Sequence, residues 1–306
     1  MRPQENIFPQ LYRLITAGRR VAIATLVNVE GTAPRPVGSM VGVAEDGRIV
    51  GGLTDGCTER AITSDALECI KQGANRIMRY GAGSPYMDIK LPCGSGIDVY
   101  FEVVDAVDVA TTAHNHLVKR TPASYFIDVE NLKSRVAALD RTITSETGFR
   151  RILEPETRLL CFGESGNFIA LCLLALHAGF SVEAYSPSGA SLDFLAGHDV
   201  AFSRIERSFD FNTLCWDRYC CAVTMFHDHD WELNILHAAL NSDACYIGAL
   251  GSRATHAARL AALQKMTPTR QKASVIHGPV GLDIGAQTPS EIAIAVLAQI
   301  TAARRG

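Results

Sequence analysis

Short apolar runs separated by glycine-rich turns fill the first hundred residues, a pattern typical of β-strands. The Asp46-Gly47 pair between two β-branched runs favours a hairpin turn. Apolar residues then recur at helical spacing, and Gly73 stands just past the last of them, where a helix ends. The predicted elements are a strand over 20–31, a hairpin over 38–52, a helix over 58–72 and a strand over 97–104.

The second half of the chain has a different pattern, in which short apolar runs typical of strands alternate with helical segments. Residues 158–187 follow the order strand, glycine turn, helix, glycine, strand, which predicts the opening βαβ unit of a doubly wound sheet. A Thr288-x-x-Glu291 capping box introduces the closing helix. The further predicted elements are strands over 220–226 and 244–250 and helices over 231–240 and 291–303.

Two domains account for these patterns and agree with a length of 306 residues. We interpret the chain as an α/β protein with a β-rich α+β N-terminal domain over residues 1–155. A Rossmann-like domain, with a doubly wound parallel sheet, is expected over residues 156–306. The less regular stretch from about Ala106 to Pro155 predicts an early helix followed by a linker.

Composition excludes several classes of protein. A net charge of −3 does not provide the positive electrostatic potential that attracts nucleic acid or an anionic membrane. The longest apolar run, 168–176, is far shorter than the ~20 residues of a membrane span, and the N-terminus lacks the apolar core of a signal peptide. The nine cysteines, odd in number and scattered, argue against a secreted disulfide framework. The expectation is a cytoplasmic protein with reduced thiols.

Two of the cysteines stand in glycine-bounded loops. Cys57 comes directly at the start of the predicted helix, where the helix N-terminus favours a thiolate, and Cys93 lies in the loop LPCGSG. A small loop residue without chemistry is the alternative for both. The other seven, including the adjacent Cys220-Cys221 pair and Cys245, are interpreted as apolar core residues.

The loop GESGNF lies where a dinucleotide-binding fingerprint belongs, and Gly163 and Gly166 are its glycines. The G-x-G-x-x-G pattern is broken because Ser165 and Phe168 replace the second and third glycine. The next strand ends at Ser186 without the carboxylate that holds a ribose diol. These departures argue against NAD(P) as a cofactor. An NAD(P)-dependent oxidoreductase with a degenerate Rossmann site is kept as the alternative function.

The segment HDHD follows a buried strand at the end where α/β sheets bind ligands. His227 and Asp228 are interpreted as contacts to a ligand in that crevice. A metal site on His227 and His229, as in a metal-dependent hydrolase, is weaker, because Glu232 and His237 are the only further ligands nearby.

Two arginines are candidates for binding an anion. Arg35 lies in the rigid segment 32–39 (TAPRPVGS), which also suits a plain turn between strands. Gly251, Ser252 and Arg253 follow the strand over 244–250, so the arginine can meet a phosphate at the ligand edge of the sheet. A surface arginine on the next helix is the alternative.

These motifs together resemble the XdhC/CoxI family, the xanthine dehydrogenase accessory proteins that serve molybdenum-cofactor enzymes. The resemblance runs through both halves. It is carried by GTAPRPVGS at 31–39, GGLTDGCTE at 51–59, LPCGSG at 91–96, HDHD at 227–230, YIGALGSR at 246–253 and GPVGLDIGAQTPSEIA at 278–293.

The resemblance implies a chaperone rather than an enzyme. Such a protein binds and protects molybdenum cofactor, receives its sulfurated form from a cysteine desulfurase, and helps insert it into a xanthine dehydrogenase-like molybdenum hydroxylase. Cys57, in the Gly-Cys-x-Glu loop with Glu59, is the expected contact to the molybdenum centre, because soft thiolates suit such a metal. Neither the mono- or dinucleotide form of the cofactor nor the oligomeric state follows from the sequence, and a homodimer is one candidate.

Overall fold

The structure is a computed structural model that describes residues 6–33, 35–53, 57–84, 94–104, 108–139, 148–226, 230–266 and 275–305. The chain divides into two compact units, one ending at Pro155 and the other beginning at Glu156. Each unit builds its own hydrophobic core, with clusters drawn from residues 7–153 in the first and from residues 159–300 in the second. None of the described helices is long and apolar enough to cross a bilayer.

The N-terminal unit is built on a five-stranded antiparallel sheet of order β3-β2-β1-β5-β4 and a three-stranded sheet of order β7-β6-β8. Its elements are α1 (Phe8–Thr16), β1 (Val21–Glu30), β2 (Met40–Ala44), β3 (Ile49–Gly51), α2 (Cys57–Gln72), β4 (Arg76–Gly81), β5 (Gly96–Val104), α3 (Asp108–Val118), β6 (Ala123–Asp128), β7 (Lys133–Ala138) and β8 (Phe149–Leu153).

Both faces of β1 are buried, which explains its continuous apolar run. Val21 and Ile23 join the core cluster that includes α1 and α3, whereas Ala22 and Ala24 join the cluster on the other face, which includes α2. Helix α1 approaches the sheet so closely that a side chain on Gly42 would lie within 2.2 Å of Leu11.

The C-terminal unit is a six-stranded sheet of order β11-β10-β9-β12-β13-β14 in which every recorded strand pair is parallel. Its elements are β9 (Arg158–Gly163), α4 (Ser165–His177), β10 (Ser181–Ser186), α5 (Gly189–Leu195), β11 (Ala201–Arg204), β12 (Cys220–Met225), α6 (Glu232–Leu240), β13 (Tyr246–Ala249), α7 (Arg253–Met266), β14 (Ile276–His277) and α8 (Pro289–Arg305). Numbered within the unit, this is the strand order 3-2-1-4-5-6 of a Rossmann fold, so the predicted fold class is confirmed.

The predicted strands and helices of both halves are present within a few residues of their expected ends. Helix α8 begins with the predicted capping box: the Glu291 carboxylate accepts the Thr288 N–H at 2.9 Å, and Thr288 Oγ1 accepts the Glu291 N–H at 3.4 Å. Helix α1, strand β4 and the three-stranded sheet were not predicted. The stretch interpreted as a linker therefore contributes strands β6 to β8, with Tyr125 and Leu153 in the core.

Candidate functional site

Three of the sequence motifs start from one end of the five-stranded sheet. Pairing of Glu30 with Gly96, of Gly81 with Gly96 and of Val41 with Gly51 places the loops after β1, β3 and β4 at that end. The loops after β1 and β4 lie close together, because a Cβ added to Gly31 would lie only 3.1 Å from Ser95 Cβ. The segments that lead to Arg35, Cys57 and Cys93 therefore share one end of the sheet.

Arg79 ties the strands together at this end of the sheet. Its guanidinium on β4 bridges to Asp98 on β5 at 3.1 Å, contacts Glu30 at the end of β1, and donates to Ala82 O at 2.8 Å. These contacts hold the loop-bearing ends of three strands in register.

Arg35 is exposed and lines a shallow cavity of about 440 Å³ together with Val29, Ala33, Pro36 and Val37. Four of these five lining residues are of apolar type, and the arginine supplies the positive charge. An open cavity with one cation suits the end of an anionic ligand.

Glu59 has a structural role in the Gly-Cys-x-Glu loop. Its Oε1 accepts the Leu53 N–H at 2.8 Å, which links the first turn of α2 to a residue just after β3. Cys57 is the first residue of α2, as predicted. Glu59 therefore ties Leu53 to the start of α2, the helix that begins at Cys57. Cys93 lies outside the described residues, and its proposed role stays a prediction.

The second group of site residues lies at the carboxyl edge of the parallel sheet. Gly163 ends β9, where a Cβ would lie 2.8 Å from Met225 Cβ and 2.9 Å from Met225 O on β12. The absence of a side chain lets the two strands end side by side. Gly166 is different, because a Cβ there would meet only Pro289 Cγ at an ordinary 3.6 Å.

Ser165 keeps the backbone of the glycine that it replaces in the fingerprint. Its φ is +84°, in the left-handed region that glycine favours, and it is the first residue of α4. Its hydroxyl is buried without a hydrogen-bond partner. Phe168, at the third glycine position, is fully buried in the core. At this position the loop therefore has a glycine-like backbone and carries a buried hydroxyl.

Gly251, Ser252 and Arg253 lie at the carboxyl end of β13, as predicted. Ser252 caps α7, since its Oγ accepts the Thr255 N–H at 3.1 Å. Arg253 is the first residue of that helix and is exposed. The motif therefore begins a helix at the ligand edge of the sheet.

A buried ion pair beneath this motif was missed from the sequence. Arg259 on α7 donates two hydrogen bonds to Glu232 Oε2 on α6, at 2.8 and 3.0 Å, and one to Leu250 O at 2.6 Å. Glu232 is completely buried and Arg259 is 5% exposed, so the pair is shielded from water. Thr224 Oγ1 donates to Glu232 Oε1 at 3.2 Å. The carboxylate of Glu232, which was considered as a further metal ligand, is already engaged by Arg259 and Thr224.

Arg259 still has one unsatisfied donor. Its Nη1 is buried without a partner, and so is Nδ1 of His256, one turn earlier on α7. Burial and the charge of Arg259 lower the pKa of His256, which favours a neutral ring. Of the buried side-chain nitrogen and oxygen atoms without partners in the described chain, three belong to this edge, namely those of Ser165, His256 and Arg259. A buried donor without a partner costs roughly 1–3 kcal/mol, and a ligand oxygen would recover it.

His227, Asp228 and His229 lie outside the described residues, so their predicted ligand contacts stay predictions. Their neighbour Asp230 forms a salt bridge with Arg207 at 3.6 Å. Within the described part of the chain, no group of three or more His, Cys, Asp or Glu side chains could hold a metal ion.

The second strand of the Rossmann unit ends without a carboxylate, as predicted. Ser186 is the last residue of β10 and its hydroxyl accepts the Ser188 N–H at 3.1 Å. Ser188 in turn caps α5. Both hydroxyls therefore have local structural roles at the position where dinucleotide-binding proteins hold the ribose.

The long motif over 278–293 anchors α8 to the sheet. Gln299 accepts hydrogen bonds from the Gly281 N–H at 2.9 Å and the Tyr246 hydroxyl at 2.5 Å, and it donates to Gly281 O. Gly278 needs to lack a side chain, because a Cβ would lie 2.0 Å from His256 Nδ1. The motif thus packs against α7 beside the unsatisfied ring nitrogen.

The chain is thus a two-domain protein whose C-terminal unit is a Rossmann domain with a modified ligand loop and unpartnered polar atoms at the carboxyl edge of its sheet. Family models match in both units: that of the XdhC Rossmann domain over residues 159–300 and that of the XdhC and CoxI family over residues 14–81. The chain belongs to the XdhC/CoxI family.

Two curated relatives align along nearly the whole chain. The molybdenum cofactor insertion chaperone PaoD of Escherichia coli (strain K12) is 31% identical over 95% of this chain and 85% of its own. A probable xanthine dehydrogenase subunit of Bacillus subtilis (strain 168) is 25% identical over 98% of both chains. The crystal structure of a xanthine dehydrogenase from Bacillus halodurans shares the fold, with a TM-score of 0.77, 22% identity and coverage of 98% of this chain and 96% of that one.

Proposed function

We propose that this chain binds molybdenum cofactor and helps insert it into a molybdenum hydroxylase of the xanthine dehydrogenase type. Three unsatisfied buried polar atoms at the carboxyl edge of the Rossmann sheet carry the proposal, because they fit a ligand rich in oxygen and nitrogen. The name of the 31% identical relative, a molybdenum cofactor insertion chaperone, supports the same conclusion.

The chemistry of the cofactor agrees with these residues. Molybdenum cofactor supplies a phosphate or dinucleotide, a pterin with a donor–acceptor edge, and a molybdenum centre held by dithiolene sulfur. The hydroxyl of Ser165 is a donor for a phosphate oxygen at the N-terminus of α4, and Nη1 of Arg259 is a further donor at the same edge of the sheet. His256 Nδ1 can pair with the pterin edge in either tautomer. Five further residues lie at the same edge of the sheet, namely Gly163, Gly166, Gly251, Ser252 and Arg253. We propose that His227 and Asp228 contact the ligand together with them.

In the N-terminal unit we propose that Arg35, Cys57, Glu59 and Cys93 form a second candidate site, whose thiols suit a molybdenum centre. The segments that lead to Arg35, Cys57 and Cys93 all leave the same end of the five-stranded sheet, which supports this assignment. Cys57 is the expected thiolate, because the first residue of a helix lies in the positive end of its dipole.

We propose that the chain acts as an accessory protein in the cytoplasm, protects the cofactor, and receives its sulfurated form from a cysteine desulfurase. The client is a xanthine dehydrogenase-like hydroxylase. Light scattering of the purified protein determines the oligomeric state, for which a homodimer is one candidate.

Replacement of Cys57 tests the role of the thiol. Cys57→Ala should lower the cofactor retained per chain about tenfold and abolish activation of the client apoenzyme. Cys215→Ala is the control, since Cys215 is an exposed free cysteine of the other unit. Unchanged retention and transfer in Cys57→Ala would exclude Cys57 as the contact.

An NAD(P)-dependent oxidoreductase is the rival function, favoured by the strand order of the C-terminal unit. Ser186 at the end of β10 and the side chains at the second and third glycine positions argue against it. Titration with NADH and NADPH, followed by nicotinamide fluorescence, separates the two. A shifted emission that saturates at one nucleotide per chain would support the rival function.

A further inference from the structure

Four cysteines gather at the amino end of the parallel sheet, opposite the edge that carries the proposed ligand site. Cys220 and Cys221 open β12, Cys245 directly precedes β13, and Cys215 lies in the segment before β12. The backbones are already joined there, because the Cys245 N–H donates to Cys220 O at 2.8 Å. Cys220 and Cys221 are buried core residues, as interpreted from the sequence, whereas Cys245 is exposed, so the same interpretation is wrong for Cys245.

One pair of these sulfur atoms is in contact. Cys221 Sγ and Cys245 Sγ are 3.6 Å apart. Cys221 is buried, whereas Cys245 is exposed. An exposed thiol resting on a buried one has the arrangement of an attacking and a resolving cysteine.

We propose that Cys221 and Cys245 form a reversible dithiol–disulfide pair that reacts with small-molecule disulfides. The proposal is independent of the cofactor-binding function, since it rests on residues at the other edge of the sheet.

The reaction balances without any further oxidant. The Cys245 thiolate attacks one sulfur of the small disulfide, which forms a mixed disulfide as the small-molecule S–S bond breaks, and the leaving thiolate takes a proton from water. Cys221 then loses its proton to solvent and attacks Cys245 Sγ. The mixed disulfide breaks and a second small thiol leaves. Two protein thiols are oxidised, and one small disulfide is reduced to two thiols.

The surroundings favour Cys245 as the attacking group. A hydrogen bond from Cys221 and the nearby guanidinium of Arg304 lower the pKa of Cys245 to about 7, against the opposing effects of burial and of Asp217. The same hydrogen bond and burial raise the pKa of Cys221, which therefore keeps its proton until the second step. A thiolate with a pKa near ambient pH attacks disulfides most efficiently.

Cys220 is a poor substitute for Cys221. Its Sγ already accepts two hydrogen bonds from the Arg158 guanidinium, both at 3.1 Å, and burial raises its pKa. Adjacent residues of a strand also point to opposite faces of the sheet. Cys161 and Cys172 provide an internal control, because they interact with each other but are fully buried.

Peptide mapping of the full-length protein tests the proposal. The protein is incubated with oxidised glutathione at neutral pH, its free thiols are alkylated, and it is cleaved on the amino side of aspartate. Cys220 and Cys221 then lie in fragment 217–227, and Cys245 lies in fragment 243–282. The expected result is a link between the two fragments that dithiothreitol reverses, with Cys161 and Cys172 still reduced.

Single serine variants assign the link. Cys220→Ser should still form it. Cys221→Ser should instead accumulate glutathione on Cys245. Cys245→Ser should form no link between the two fragments and accumulate no glutathione on either of them. Unchanged far-UV circular dichroism shows that each variant folds. Loss of the link in Cys220→Ser, or fragments that stay unlinked in the wild type, would overturn the proposal.

Discussion

At the scale of single residues, Ser165 combines backbone strain with an unsatisfied buried hydroxyl. Its φ of +84° suits glycine better, and its Oγ lacks a hydrogen-bond partner. Both features lower stability, by amounts that reach about 1–2 kcal/mol for the backbone and about 1–3 kcal/mol for the hydroxyl. A residue that costs stability at a ligand edge is a candidate for function.

The variant Ser165→Gly should therefore gain stability and lose cofactor. We expect the free energy of unfolding, from urea titration followed by circular dichroism, to rise by about 1–2 kcal/mol after allowance for the flexibility of glycine in the unfolded chain. The cofactor retained per chain should fall. A stabilised variant with full retention would show that the hydroxyl does not contact the ligand.

The reactivity of Cys245 should depend on pH around neutrality. Only the thiolate attacks, so the alkylation rate rises with the ionised fraction and levels off above the pKa. Because the pKa of Cys245 is lowered to about 7, the rate should rise to its midpoint near pH 7. Timed alkylation with iodoacetamide, with Cys245 quantified by mass spectrometry, measures the profile. A midpoint near pH 8.5, as for a free cysteine, would contradict the assignment.

At the scale of elements, the two glycines of the ligand loop have different roles. Gly163 lies where β9 and β12 end side by side, so an added Cβ would press on the Met225 backbone at 2.9 Å. Gly166 lies in the first turn of α4, where an added Cβ would make only an ordinary contact of 3.6 Å with Pro289 Cγ.

The matched variants Gly163→Ala and Gly166→Ala separate these roles. We expect Gly163→Ala to cost about 1–3 kcal/mol of stability through overpacking. Gly166→Ala should be neutral or stabilising by up to about 1 kcal/mol, because alanine is the better helix former. Urea unfolding of both proteins measures the difference. Equal losses of stability in the two variants would mean that close packing of β9 against β12 does not explain the glycine at position 163.

The elements that could be predicted from the sequence are those with strong periodicity. Strand β1 is buried on both faces and has a continuous apolar run, whereas β7 mixes polar and small apolar residues, none of them fully buried, and has no such signal. The Glu232–Arg259 pair was missed because a charged residue in an amphipathic helix usually faces solvent. The one available signal is that Arg259 lies four residues before Leu263, on the buried face of α7.

The pairing of Cys221 with Cys245 was missed for a different reason. The distance between them along the chain is 24 residues, and their contact depends on the parallel pairing of β12 with β13. Motif matching, by contrast, placed Gly163, Cys57 and Glu59 correctly relative to their strands and helices, because each motif spans a turn whose neighbours have clear patterns.

At the scale of the whole molecule, the chain combines two units with separate cores, and each offers one cluster of site residues. In the N-terminal unit, loops that carry family motifs start from one end of an antiparallel sheet. In the C-terminal unit, unsatisfied buried donors lie at the carboxyl edge of a Rossmann sheet. Both clusters are consistent with a carrier for an anionic, metal-containing cofactor.

Direct analysis of the bound pterin tests this account most simply. The full-length protein is purified from cells supplied with molybdate, and its ligand is released, oxidised and identified by the fluorescence of the pterin derivative. The account predicts molybdopterin, in its mono- or dinucleotide form, approaching one per chain, and less in Ser165→Gly. A wild-type protein that carries no pterin, and takes up none when mixed with the free cofactor, would contradict it.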